Sequence, residues 1–169
     1  IDACVAIGGN GTFTGAKVFS EEYDIPFIGV PGTIDNDLYG TDYTIGFDTA
    51  VNTAIEAVDK IRDTADSHNR LFFVEVMGRH SGYIALHTAI GSGASSVLIP
   101  EAETDVEDLK SVLRKNKARG KLFSVVIVAE GHHLGGAAGI SALIKDELAS
   151  MEPKVTVIGH LQRGGAPTA

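Results

Sequence analysis

The sequence predicts an α/β fold in which a doubly wound, largely parallel sheet is flanked by helices. Short β-branched apolar runs alternate with longer segments of helical periodicity, as in repeated βα units. The runs are almost continuously apolar, which is typical of strands covered on both faces. Glycine-rich or polar segments follow nearly every run, and ligands of open parallel sheets bind beyond the carboxyl ends of the strands. We therefore expect a binding site at that edge.

The predicted elements follow one another with short connections. In chain order, the predicted strands are residues 3–7, 26–30, 71–77, 96–99, 122–129 and 155–158. The predicted helices are residues 12–20, 44–65, 81–91, 106–117 and 140–149. The helix at 44–65 has the clearest pattern, because its apolar residues recur at spacings of three and four and form a single stripe. Thr104 or Asp105 is expected to cap the helix at 106–117.

Composition excludes several classes of protein. The chain has 169 residues, 44% of them hydrophobic, which is enough for one soluble domain with its own core. A formal charge of -8 argues against a nucleic-acid partner or an anionic membrane, since both require clustered basic residues. The single cysteine, Cys4, excludes an internal disulfide. With no membrane-length apolar run and no signal-peptide pattern, we expect a cytoplasmic protein.

The first polar motif is the run Gly8-Gly9-Asn10-Gly11-Thr12, which follows the first predicted strand. A helix that begins here would direct free backbone N–H groups and its positive end at a ligand, and glycine lets phosphate oxygens approach the backbone. The motif predicts a phosphate-binding loop. The alternative is a tight strand-to-helix turn without a ligand, because short glycine motifs often occur by chance.

The second motif, at residues 31–37, is richer in polar groups than a connection needs. Its carboxylates, Asp35 and Asp37, are two residues apart and lie near Thr33 and Asn36. One carboxylate could accept a proton from an attacking hydroxyl while the other positions a metal or a substrate. The alternative is a turn whose side chains bond only their own backbone.

Further polar residues follow three later strands. Met77-Gly78-Arg79-His80 places an arginine at the sheet edge, where its planar guanidinium could meet the charge of a transferring phosphoryl group. Glu130 follows the fifth predicted strand, and the segment at 159–165 contains His160, Arg163 and paired glycines. Both suit a sugar-phosphate pocket. The alternatives are a surface salt bridge for Arg79, a solvated carboxylate for Glu130 and a glycine-rich exit turn for the last segment. No cysteine and histidine spacing typical of zinc occurs, so magnesium carried by a nucleotide is the metal we expect.

Taken in order, these motifs resemble the 6-phosphofructokinase family. The resemblance also includes the stretches at 40–47 and 74–79, and it spans essentially the whole chain. Family members are roughly twice this length, which is the size of a two-lobed α/β enzyme. The resemblance therefore implies a partial phosphofructokinase domain over 1–169, with the N- and C-terminal parts of the family fold absent.

The resemblance implies transfer of the γ-phosphoryl group of ATP to the 1-hydroxyl of fructose 6-phosphate, with Mg²⁺ as cofactor. In that reaction Asp35 would be the catalytic base, Thr33 and Arg79 would stabilise the transferring group, and Asp37 would assist at the metal or the substrate. The nucleotide would bind Gly9, Asn10, Gly11, Thr12 and Gly15. The sugar phosphate would bind Thr33, Asp35, Arg70, Met77, Gly78, Arg79, Glu130, Lys154, His160 and Arg163. Arg70 and Lys154 would reach the sugar site of a neighbouring subunit, which implies a homo-oligomer, a tetramer or a dimer.

The phosphoryl donor is inferred from two glycines. Pyrophosphate-dependent relatives carry Asp where Gly11 stands and Lys where Gly32 stands. An aspartate at position 11 would crowd and repel the α-phosphate of ATP, whereas glycine leaves space for it. The sequence favours ATP, with a pyrophosphate-dependent relative as the alternative.

Four positions depart from the family pattern, among them Lys154, which stands where the family usually has Arg and keeps the charge without the bidentate fork. Asn10 stands where the family usually has a metal-handling aspartate, so weaker magnesium binding is expected. At the family's effector site, Ser95 and Phe123 replace Glu and His, although Arg62, Gly93, Arg119 and Lys121 match it; these replacements argue against regulation by nucleotides or phosphoenolpyruvate. The chain could instead be a nucleotide- or phosphosugar-binding module without turnover. The motifs at 33–37 and 160–163 argue against an NAD or lipid kinase.

Overall fold

The structure is a computed structural model that describes residues 1–65, 70–121 and 123–168. Strands and helices alternate throughout this part of the chain. The strands are β1 (Cys4–Gly8), β2 (Phe27–Pro31), β3 (Arg70–Val76), β4 (Ser96–Leu98), β5 (Phe123–Ala129) and β6 (Lys154–Val157). The helices are α1 (Asn10–Tyr23), α2 (Phe47–Ala65), α3 (Tyr83–Ser92), α4 (Val106–Ala118) and α5 (Gly136–Ile144). Short 3₁₀ turns form at Ala149–Met151 and Gly159–Arg163.

The predicted parallel α/β class is confirmed, although the strands form two sheets. β1 and β2 form a parallel pair, and the other four strands form a parallel sheet in the order β4-β5-β3-β6. The central strands β3 and β5 pair over their whole length, from Arg70 with Phe123 to Val76 with Ala129. The carboxyl ends of all four strands therefore lie at one edge of the larger sheet.

The central strands β3 and β5 are buried on both faces, as doubly wound packing requires, whereas the edge strand β6 is mostly exposed. Successive side chains of a strand point to opposite faces, and in β3 Phe72 and Val74 enter one core cluster while Leu71 and Phe73 enter the other. The first cluster contains α2 and α3, and the second contains α4 and α5. Because the side chains of residues 71–74 alternate between the two helix layers, this stretch of β3 reads as a continuous apolar run.

Two helices start three or four residues away from the predicted position, because tertiary contacts decide where they begin. The second predicted helix, at 44–65, starts only at Phe47, since residues 44–46 bond back to the preceding loop: Thr44 N–H donates to Asn36 Oδ1 (2.8 Å) and Gly46 N–H to the Thr33 carbonyl (3.1 Å). The last predicted helix, at 140–149, is instead α5 and runs from Gly136 to Ile144.

Glu75 explains the early start of α5. Its Oε2 accepts the Ala137 N–H at 2.8 Å, so a strand residue satisfies an N–H of the first helical turn. Glu75 is 62 positions away along the chain, and no local pattern reveals this bond.

The remaining boundaries agree more closely with the prediction. α1 is longer than the predicted 12–20, because it starts directly after Gly9. Asp105 is the cap of α4, with Oδ1 accepting the N–H groups of Glu107 (2.8 Å) and Asp108 (3.3 Å). Strand ends shift by at most one residue, and Leu122, where the fifth predicted strand begins, lies outside the described residues. Among the described helices, none combines the length and the apolar character needed to cross a bilayer.

Candidate active site

The glycine-rich loop after β1 forms the N-terminal end of α1. Gly9 is the N-cap, with no side chain bonded to the first turn, and the helix begins at Asn10. The Thr12 side chain packs against Gly8, where an added Cβ would lie 2.3 Å from Thr12 Oγ1. In contrast, a Cβ added at Gly11 or Gly15 would have no atom within 4 Å. The first turns of α1 therefore present open backbone, the geometry expected for contact with phosphate.

The loop after β2 crosses to the end of β1. Gly32 N–H donates to the Gly8 carbonyl at 3.0 Å, and Thr33 packs beside Gly9, whose added Cβ would lie 3.4 Å from Thr33 Cβ. Asn36 adopts a left-handed conformation, with φ of 54°, and its side chain bonds the Thr44 N–H and the Asp42 carbonyl. Asn36 therefore joins this loop to residues 42–44, through contacts six and eight positions away that the sequence pattern did not specify.

Asp35 lies between opposite charges at this edge. Its side chain is only 14% exposed, and its Oδ2 lies 3.9 Å from Nε of Arg79. Burial raises the pKa of Asp35 above its ordinary value, and the Asp37 carboxylate raises it further, while Arg79 and Arg163 act in the opposite direction. Asp35 is therefore a carboxylate with a raised proton affinity that lies beside a cation.

Asp37 lies on the side of the site nearest to α1. Its Oδ2 accepts a hydrogen bond from Asn10 Nδ2 at 3.4 Å, across 27 positions of sequence. This contact joins the loop after β2 to the start of α1 at Asn10, the position where the family usually has an aspartate.

The loop after β3 carries Arg79 in a left-handed conformation, with φ of 52°. Glu130 Oε1, from the loop after β5, accepts the N–H groups of Gly78 (3.3 Å) and Arg79 (2.9 Å). Gln162 Oε1, from the turn after β6, accepts the Met77 N–H at 2.7 Å. Loops from three neighbouring strands of the larger sheet are thus joined by side-chain hydrogen bonds.

The sequence-predicted site residues separate into two groups. The contacts above link one group, which consists of Asn10, Thr33, Asp35, Asp37, Met77, Gly78, Arg79 and Glu130. His160 and Arg163 are exposed in the turn that contains Gln162. Arg70 and Lys154 open β3 and β6, so they lie at the opposite edge of the sheet. The structure does not bring them to Asp35 within this chain.

A separate pocket of about 290 Å³ contains most of the predicted effector residues. It is lined by Arg62, Ser92, Gly93, Ser95, Lys121, Phe123 and Val125. Lys121 Nζ donates to Ser95 Oγ at 3.1 Å, and Arg62 bonds the Ser92 carbonyl. Arg119 does not line it. The lining carries two cations and no carboxylate, and the expectation that this site does not mediate regulation by nucleotides or phosphoenolpyruvate stays a prediction.

Fold and site together define an α/β protein with a candidate ligand-binding edge, where a helix N-terminus, paired carboxylates and an arginine converge. A family model described as Phosphofructokinase matches residues 1–169. The chain is 59% identical, over its whole length, to ATP-dependent 6-phosphofructokinase 1 of Thermus thermophilus and covers 52% of that protein. The chain belongs to the phosphofructokinase family.

Solved structures of the family share the fold. Phosphofructokinase from Saccharomyces cerevisiae superposes with a TM-score of 0.89 at 32% identity, over 99% of this chain and 26% of that one. The pyrophosphate-dependent phosphofructokinase from Marinobacter aquaeolei gives 0.76 at 28% identity, over 96% of this chain and 45% of that one. The chain spans about half the length of the curated relatives it matches.

Proposed function

We propose that this chain carries the catalytic face of an enzyme that transfers the γ-phosphoryl group of ATP to the 1-hydroxyl of fructose 6-phosphate. The position of Asp35 carries the proposal. Its loop contacts the N-terminal end of α1 through Asp37 and Asn10, and its own carboxylate lies 3.9 Å from Arg79 of the β3 loop, so we assign the phosphoryl donor to the end of α1 and the acceptor to the space beside Asp35. The Thermus relative is named an ATP-dependent 6-phosphofructokinase, which denotes the same reaction.

In the proposed reaction Asp35 takes the proton of the 1-hydroxyl as that oxygen bonds to the γ-phosphorus and the bond to the β-phosphate oxygen breaks. The products are fructose 1,6-bisphosphate and ADP. A carboxylate of ordinary pKa is a weak base at neutral pH, so the raised pKa of Asp35 suits this role. Arg79 lies 3.9 Å from Asp35, where its guanidinium can meet the charge on the transferring group.

Gly11 and Gly32, the positions at which pyrophosphate-dependent relatives differ, support ATP as the phosphoryl donor. No protein atom would contact a Cβ at Gly11, so the space before the helix is free for a nucleotide phosphate. A Cβ at Gly32 would lie 2.9 Å from Ile7 Cγ2 and 3.3 Å from the Gly8 backbone nitrogen, so lysine would not fit there without displacing β1. Lysine at this position is the pattern of the pyrophosphate-dependent relatives.

The residues present fit magnesium bound together with a nucleotide. No group of three or more His, Cys, Asp or Glu side chains that could hold a metal occurs in the described residues. The Asn10 amide oxygen and the carboxylate of Asp37 are oxygen donors of the kind magnesium prefers, and magnesium commonly combines one or two such ligands with phosphates and water. When bound, Mg²⁺ would supply positive charge to the phosphates. Asn10 and Asp37 would hold it, and one of these two ligands is uncharged.

Assembly and compartment form part of the same proposal. Arg70 and Lys154 lie away from Asp35, which fits residues that serve the sugar site of a neighbouring subunit in a homo-oligomer. We place the protein in the cytoplasm, where its proposed substrates occur.

The test compares Asp35→Asn with Asp63→Asn in the full chain that carries this sequence. Asp63 is exposed on α2 and serves as a matched control. Formation of fructose 1,6-bisphosphate is followed with ATP and, separately, with pyrophosphate. We expect Asp35→Asn to lose about 10²- to 10⁴-fold in kcat while it still binds fructose 6-phosphate in calorimetry. Wild-type turnover in Asp35→Asn would show that another group is the base.

A binding module without turnover is the second candidate, and the uncharged Asn10 beside Asp37 favours it. Calorimetric binding of fructose 6-phosphate by the wild-type chain, with no product from either donor, would select the module. Product with pyrophosphate alone would select the pyrophosphate-dependent alternative.

A further inference from the structure

Three consecutive amides of the β3 loop are held by side chains from two other loops. Gln162 takes the N–H of Met77 (2.7 Å), and Glu130 takes those of Gly78 (3.3 Å) and Arg79 (2.9 Å). The path of the backbone toward Arg79 is therefore set by side chains outside this loop.

Gln162 differs from its neighbours in the turn at Gly159–Arg163. It is fully buried, whereas Leu161 is 73% exposed and His160 and Arg163 are exposed. The turn also bonds α2, because Thr53 Oγ1 donates to the Gly164 carbonyl at 2.9 Å. Gln162 thus joins the turn that presents His160 and Arg163 to the loop that presents Arg79.

Stability alone does not account for a glutamine at this position. Its Oε1 is used, but its Nε2 is buried without a hydrogen-bond partner among the described residues. One satisfied acceptor with one unsatisfied buried donor yields little net stabilisation. What the side chain does provide is a fixed distance between two loops.

The distance between the two loops matters because the position of Arg79 depends on its backbone conformation. Its φ of 52° is uncommon for a non-glycine residue, and Gly78 before it has φ of 137°. The Arg79 side chain is 79% exposed, so packing does not hold the guanidinium near Asp35. The hydrogen bonds to the N–H groups of residues 77–79 therefore set the position from which the Arg79 side chain reaches Asp35.

We propose that Gln162 is a positioning residue for phosphoryl transfer, which fixes Arg79 beside Asp35 by holding the Met77 amide. This role rests on the proposed function. Without the acceptor, the loop moves and Arg79 leaves its place, while the nucleotide end of α1, on the other sheet, is unaffected.

The test uses Gln162→Met, which keeps the length of the side chain but removes the strong acceptor, and Gln162→Glu, which keeps an acceptor oxygen. Leu161→Met, an exposed neighbour in the same turn, is the control. All are made in the full chain. We expect Gln162→Met to lose about 10- to 100-fold in kcat with the KM for ATP unchanged, because a misplacement of about 1 Å costs roughly 10²-fold. Gln162→Glu should restore kcat toward the wild-type value.

Hydrogen exchange at residues 77–79 supplies a readout that does not depend on activity. Exchange should be faster in Gln162→Met than in the wild-type chain and unchanged in Leu161→Met. A kcat for Gln162→Met equal to that of the wild type, or unchanged exchange, overturns the proposal. If Gln162→Met does not fold, a Gln162→Glu variant that folds with wild-type stability but with fast exchange overturns it as well. If the wild-type chain makes no fructose 1,6-bisphosphate, the proposed function fails, while exchange still tests the Met77 bond.

Discussion

Gly131→Ala should damage the candidate site through one backbone contact. Gly131 follows Glu130, and a Cβ at Gly131 would lie 1.8 Å from the carbonyl oxygen of Arg79 and 2.9 Å from its carbonyl carbon. The backbone of Gly131 is not in the left-handed region, so an alanine adds a steric cost and no conformational one.

The size of the displacement follows from that contact. The separation must grow from 1.8 Å to at least 3.0 Å, a movement of about 1.2 Å, and the atom in the way is backbone that cannot rotate aside. Glu130 holds the Arg79 N–H at 2.9 Å, so the same movement disturbs this bond and the placement of the guanidinium. A shift of about 1 Å is enough for a loss of roughly 10²-fold in rate, and overpacking costs about 1–3 kcal/mol of stability.

The assay is steady-state formation of fructose 1,6-bisphosphate by the full chain, with unfolding in urea measured in parallel. Gly164→Ala is the matched control, because its added Cβ would lie 3.7 Å from the Leu161 carbonyl oxygen, an ordinary contact, and its φ of -111° suits any residue. We expect Gly131→Ala to lose about 100-fold in kcat and Gly164→Ala to behave as the wild type. If Gly131→Ala keeps both the wild-type kcat and the wild-type stability, the close approach of these two loops is refuted.

Three further predictions concern the charges of the site and of the fold. Asn10→Asp adds a charged ligand beside Asp37, so the magnesium concentration for half-maximal activity should fall several-fold; unchanged magnesium dependence and turnover would refute this role for Asn10. Asp35→Asn should gain stability relative to the wild type as pH rises from about 3 to 7. Burial raises the pKa of Asp35, so the folded wild type binds a proton that the unfolded chain has released, and its stability falls as pH rises through that window. Parallel stability curves in urea at both pH values would contradict it. Glu75→Gln keeps an acceptor for Ala137 but removes the charge at the start of α5, so unfolding should become easier by about 0.5–1 kcal/mol; no change at low salt would exclude a contribution from the charge.

Local patterns determined most of the fold. The central strands β3 and β5 are mostly apolar because helices cover both faces, and α2 is amphipathic because one stripe faces the core, so period and composition were enough to place these elements. Where a long-range hydrogen bond decides the start of a helix, the hydrophobic pattern of the sequence did not locate that start. The loop at residues 44–46 bonds Thr33 and Asn36 instead of joining α2, and α5 begins where Glu75 reaches it from β3.

By itself the sequence determined the fold class, the family and the polar residues at the strand ends, because these depend on residue type and order along the chain. Tertiary structure alone decided which of those residues meet. It brings Asp35 to Arg79 across 44 positions and joins Met77 to Gln162 across 85, while Arg70 and Lys154 lie at the far edge of the sheet. The reason is geometric: parallel strands bring together residues distant in sequence at a shared edge, and the hydrogen bonds that hold them carry no local signature.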